Sequence, residues 1–229
     1  ANKHIDAGTD IPDEILKQTL KEIYDKYLTD KPRKMGKLES MTINYPLDSK
    51  PNINNILVGL DLDYSNKVIA PDGHELALVA FIPIENLLTI APQFKTDFQD
   101  MEYKDKAIYV FSYYDKEDYF LDYITEIDDA IQGYTRVIVG EKNSFKFNLD
   151  KFYPINPIEN LDEMSFLGGQ PEYLQQESDD FLEKYIFIGQ ILGMDLPEEV
   201  NEIFYLTENI GYIFINRDLS GGLFFVQTT

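Results

Sequence analysis

Two aspartates, Asp61 and Asp63, stand two apart in the run Ile56–Tyr64. On a β-strand that spacing puts both carboxylates on one face and Leu60 and Leu62 on the other. Paired carboxylates can hold magnesium or calcium or share acid–base work. The solvated face of a half-buried strand explains the same alternation and is the preferred reading. His4 and His74 are the two histidines, and His74 comes after Pro71-Asp72-Gly73, which reads as an ordinary turn leading into a strand. Asp128-Asp129 and Glu177-Ser178-Asp179-Asp180 lack the spacing of a calcium loop, and Ser178 or Asp179 is read as the cap of a short turn. Cysteine is absent, which removes disulfides, thiolate nucleophiles and thiolate metal sites and favours a reducing, cytoplasmic setting. No catalytic cluster, no metal site and no cofactor is expected, so the residues point away from an enzyme.

The most specific local pattern is Phe166–Glu177, FLGGQPEYLQQE. Gly168 and Gly169 permit a backbone that other residues resist, and Pro171 limits the backbone beside it. Tyr173, Leu174 and Gln175 can then pack and hydrogen-bond against a sheet. The Lys-Ser/Thr pair of a phosphate loop is missing, as is the strand–GxGxxG–helix context. Both a structural turn and a ligand-contacting loop fit, the turn being preferred.

Charge sets the partners. The chain has 20 basic and 41 acidic residues, a formal charge of -21, so it repels phosphate backbones and anionic membranes. Residues 97–132 hold eleven acidic side chains against three lysines, with tyrosines interspersed, and residues 159–208 hold thirteen acids against Lys184 alone. Tyrosine beside carboxylate suits an interface with a basic protein, because the ring buries apolar area and the charge speeds encounter. Tyr113, Tyr114, Asp115, Glu117, Asp118 and Tyr119 are the preferred contacts. A solvated face with the rings turned inward is the competing account.

These residues need a frame. Asp10–Leu28 has the pattern of an amphipathic helix: Asp10 as cap, Pro12, Asp13 and Glu14 in the first turn, then Leu16, Leu20, Ile23 and Tyr27 as one apolar stripe. A basic loop with Pro32 and Gly36 ends it. Strand-like stretches come next at Met41–Tyr45, Ile56–Leu62, Glu75–Ile82, Ala107–Tyr113, Tyr119–Thr125, Tyr134–Val139, Lys184–Ile188, Tyr212–Ile215 and Leu223–Gln227. Glu198–Phe204 reads as either a short helix or a lead into another strand. Connections this short and irregular disfavour regular βαβ crossovers. The chain is therefore expected to be α+β, with residues 1–40 as a helix and loop packed on a β-rich domain of mostly antiparallel strands over 41–229. Residues 1–10 lack the basic flank and apolar run of a signal peptide.

Two stretches repeat one design. ALVAFIPIENLLTIAP from Ala77, then AIYVFSYYD from Ala107, parallels KYIFIGQILGMDLP from Lys184, then GYIFINRD from Gly211. The expectation is a duplicated unit whose copies pack together.

From Gly168, Gly169, Pro171, Leu174 and Gln175, through Gln190 in YIFIGQ and Gly211 in GYIFIN, to Gln227, the chain resembles the YwqG-like family of bacterial proteins of unknown biochemical function. The resemblance covers about residues 55–229, with Tyr173 where the family usually has tryptophan. It implies a duplicated α+β fold, adds Gly168, Gly169, Gln175 and Gln190 to the candidate contacts, and supplies no catalytic residue. Members that occur beside secreted polymorphic toxins suggest that some are immunity proteins. The expected function is thus an acidic cytoplasmic binding protein, in that view one that neutralises a toxin by occlusion. The alternatives are a small-molecule or divalent-metal-dependent enzyme, with Gln175, Gln190, Asp61 and Asp63 converging on a cleft, and a structural or assembly module.

Overall fold

The computed structural model describes residues 40–46, 48–158, 164–175 and 184–228. The expected Asp10–Leu28 helix, the basic loop and the Ser178/Asp179 cap lie outside them. Among the described residues, eleven strands form one antiparallel sheet: β1 Ser40–Asn44, β2 Leu57–Asp61, β3 Ala77–Pro83, β4 Lys106–Ser112, β5 Thr135–Glu141, β6 Phe152–Pro154, β7 Asn156–Ile158, β8 Phe166–Gly168, β9 Tyr185–Leu192, β10 Ile210–Asn216 and β11 Gly222–Gln227. Their order across the sheet is β6-β2-β3-β4-β5-β11-β10-β9-β8-β1-β7.

That order has a consequence for shape. The two ends of the sheet, β6 and β7, are separated in the chain by Ile155 alone, which donates its N–H to Ile56 O at 3.0 Å and is buried. One stretch, Phe152–Ile158, therefore pairs first with β2 and then with β1 and draws the sheet into a near-barrel. Opposite this seam, β5 and β11 meet at Gly222 and Val137. From that junction outward, β5-β4-β3-β2 on one side and β11-β10-β9-β8 on the other are both simple meanders.

Burial explains the strand sequences. All seven residues of β3 are buried, as is β10 except at Asn216, so both read as near-continuous apolar runs; β9 is buried except at its two ends and carries Gln190 within it. On β10 and β11 the faces alternate. Ile213, Ile215, Phe224 and Val226 join a core shared by both halves, while Tyr212, Phe214, Leu223 and Phe225 join a second cluster on the other face.

Short helices are spliced between the described strands: α1 Ile84–Ile90, α2 Lys95–Phe98, α3 Asp122–Thr125 and α4 Ile127–Gln132. Helix α1 buries Ile84, Leu87 and Leu88, a stripe at helical spacing, and stops ahead of Pro92. Helix α4 ends at Gly133, whose φ of 110° lets its N–H reach Asp129 O and Ala130 O.

The strand expected at Tyr119–Thr125 is absent; that stretch turns and enters α3. Its alternating aromatics read as strand, but the Tyr119 hydroxyl donates back to Asp122 Oδ1 at 2.9 Å, a local contact across three residues that suits a turn. Glu198–Phe204 resolves as a 3-10 turn, Glu198–Val200, continued by further turns.

Candidate functional site

The two aspartates do not share a solvated face. Asp63 is exposed, but Asp61 is 1% exposed at the end of β2. Three donors surround the Asp61 carboxylate: the N–H groups of Asp63 (2.8 Å) and Asn148 (2.9 Å) and the Lys151 ammonium (2.8 Å). Lys151 also bonds Asp63 Oδ2 at 2.7 Å, so a cation from the chain already lies between the carboxylates. Burial alone would raise the pKa of Asp61, yet these donors hold it below the ordinary aspartate value. The register of β2 against β3 shifts between Val58 and Asp61, and this irregularity accompanies the inward turn that strand alternation did not anticipate.

The Gly168-Gly169 segment is an overlay on the second meander. Gly168 and Gly169 have φ of 74° and 73°, and a Cβ on Gly168 would lie 2.5 Å from Gln93 Nε2. The chain then crosses β9, β10 and β11, and one polar side chain from each strand meets its backbone. Gln190 on β9 accepts Glu172 N–H at 2.8 Å and donates to Met164 O at 2.9 Å. Tyr212 on β10 donates to Glu172 O at 2.8 Å and accepts Leu174 N–H at 3.2 Å. Gln227 on β11 accepts Gln175 N–H at 3.1 Å, and Gln175 Nε2 donates to Thr228 O at 3.3 Å. Tyr173 packs its ring 5.3 Å from Tyr212 and 6.5 Å from Phe225.

Gln190 is thus fully buried and holds backbone. Gln175 is exposed, Gly168 is buried, and Gly169 borders a cavity of about 240 Å³ with Gln93, Asp97, Tyr185 and Arg217. Asp61 and Asp63 bond to the β2–Lys151 region and share no hydrogen-bond partner with either glutamine among the described residues.

The acidic tyrosine loop divides its rings. Tyr113 is 9% exposed, with the His74 ring stacked on it at 4.0 Å and 18°. Tyr123, 36% exposed, lies across both Tyr113 (4.5 Å, 23°) and Tyr134 (4.9 Å, 28°). Tyr114 and Asp115 are half-buried, while Glu117, Asp118 and the 49%-exposed Tyr119 face solvent. Tyr119 and Phe120 also pack on Tyr205 at 5.1 and 5.3 Å. Burial, with the Asp72 carboxylate as the next cause, pushes the Tyr113 phenol up to about 12. Burial and the same aspartate also raise Tyr134.

No protein-family model and no curated protein matches the chain.

Among the described residues no group of three metal-ligating side chains gathers, and no helix is long and apolar enough to cross a membrane. Sequence reasoning missed His74, Tyr123 and Tyr134 as neighbours of Tyr113. Tyr113 N–H donates to Tyr134 O, a cross-strand pairing that only the register of β4 against β5 reveals.

Proposed function

We propose that the protein is a cytoplasmic binding protein whose acidic, aromatic face, carried by residues 113–134, docks a basic protein partner. The observation behind this reading is the mixture along that stretch: Tyr119, Tyr123 and Ile131 are exposed within the same run of chain as the exposed Glu117, Asp118, Asp122, Glu126 and Asp128. Apolar area beside like charge suits a surface that attracts a cationic partner at long range and excludes water on contact.

The two matching meanders, β2-β3-β4-β5 and β8-β9-β10-β11, and the two similar sequence stretches support a duplicated unit as the origin of the fold, as does the YwqG-like resemblance. Under that resemblance the partner class is a secreted toxin, which the face would block by occlusion. Affinity capture from the source cells tests the function, comparing the protein with a Glu117→Lys/Asp118→Lys/Asp122→Lys variant. A basic partner that binds the parent, is released by salt and fails to bind the variant is the expected result. Capture that ignores the charge reversal overturns the reading.

A further inference from the structure

The ring pile where β4 ends and β5 begins has features that a merely solvated acidic loop would not need. His74, Tyr113, Tyr123 and Tyr134 come from separate segments, yet the successive centroids lie 4.0, 4.5 and 4.9 Å apart with planes within 28° of parallel. Tyr123 lies over Tyr113 and Tyr134, the latter two being 6.1 Å apart, and is the most exposed of the three tyrosines. Acidic residues border the pile: Asp72 Oδ1 accepts His74 N–H at 3.0 Å, Asp129 lies in the turn where its backbone O accepts Tyr134 N–H at 3.1 Å, and the half-buried Asp115 follows Tyr113 by two residues. Arg136 on β5 packs its guanidinium against Gly133, the residue before Tyr134.

We infer that Tyr123, with Asp72 and Asp129 beside its ring pile, is a seat for an arginine side chain of a protein partner. The inference deepens the proposed function and rests on it. A guanidinium is flat, weakly hydrated and able to stack on a phenol while its N–H groups fork toward carboxylates. A lysine ammonium matches the charge but not the plane, and it holds its water more tightly. A phosphate or nucleic acid is repelled by the same carboxylates. The seat therefore selects arginine over lysine at equal charge.

Two capped peptides of equal length test this, one with three arginines and one with three lysines, titrated against the full chain while tyrosine ring proton shifts are monitored. The arginine peptide is expected to move the Tyr123 ring signals and to bind about tenfold tighter than the lysine peptide. Tyr123→Ala should erase the preference, Tyr123→Phe should keep it, and Asp72→Asn should weaken the arginine peptide while retaining the Oδ1 acceptor for His74 N–H. Equal binding of both peptides, or a preference that survives Tyr123→Ala, overturns the seat. A basic partner that is captured equally by Tyr123→Ala removes the arginine seat but leaves the proposed function standing. An arginine preference without any captured partner does the reverse.

Discussion

Lys151 reaches across 90 residues of sequence to place its ammonium 2.8 Å from the buried carboxylate of Asp61. That contact fastens the segment entering β6 to the end of β2, beside the seam where Phe152–Ile158 closes the near-barrel. Lys151→Met takes this counter-charge away and leaves the two backbone donors to Asp61 in place. It is expected to lower stability by about 2–3 kcal/mol, less than for a fully buried pair because Lys151 is partly exposed. Urea denaturation measures it, and a loss under about 0.5 kcal/mol, the level of an exposed pair, contradicts the role.

The same pair sets an acid limit. The folded-state pKa of Asp61 lies below its ordinary value of 3.8, so the unfolded chain takes up this proton first as pH falls. Its contribution is complete above the ordinary value and disappears as pH drops through the lower, folded one. Stability of Asp61→Asn, measured from neutral pH into that acid range, should fall less steeply than that of the parent. Parallel curves count against the assignment.

Gln190 is expected to matter through backbone it satisfies rather than through any ligand. Gln190→Leu removes an acceptor for Glu172 N–H and a donor for Met164 O, at a cost of about 2–3 kcal/mol. Hydrogen exchange at the Glu172 amide should accelerate well beyond the change in global stability. Unchanged protection there is the contrary result.

Tyr212→Phe keeps the ring in the second apolar cluster and deletes only the hydroxyl that serves Glu172 O and Leu174 N–H. The expected loss is about 1–2 kcal/mol. Combined with Gln190→Leu, the losses should be non-additive, because both side chains hold the same crossing segment. Simple additivity in a double-mutant cycle argues that the overlay is not one unit.

Tyrosine ionisation offers an alkaline counterpart. Tyr64, Tyr109 and Tyr113 are each raised to about 12, with burial as the first cause. A raised folded-state pKa stabilises the neutral phenol, so this contribution is present below the ordinary value of 10.0 and is lost as pH rises toward 12. The chain has no tryptophan, so phenolate absorbance tracks the tyrosines directly. A late-titrating fraction that reaches the ordinary value on unfolding is expected, and all tyrosines ionising together in the native protein would contradict it.

Much of the frame was legible in the chain. β3 and β10 announced themselves because strands buried on both faces are continuous apolar runs, and Ser220-Gly221-Gly222 marked the entry into β11. The two parallel stretches, Ala77 with Ala107 and Lys184 with Gly211, mark the β3–β4 and β9–β10 pairs at matching places in the sheet order. The three-residue strands β6, β7 and β8 left no such mark, because segments that short carry no period and owe their pairing to partners distant in sequence.

Residue types and local spacing alone determined the acidity, the lack of thiol chemistry, the main strands and the need for glycine at Gly168 and Gly169. Those properties depend on composition or on a few neighbouring dihedral angles. Tertiary structure decided that Asp61 turns inward to Lys151, that Gln190, Tyr212 and Gln227 together hold one crossing segment, and that Tyr123 lies over Tyr113 and Tyr134. Each of these joins groups far apart in the chain, and such meetings are fixed by strand register and closure of the sheet, which no local pattern encodes.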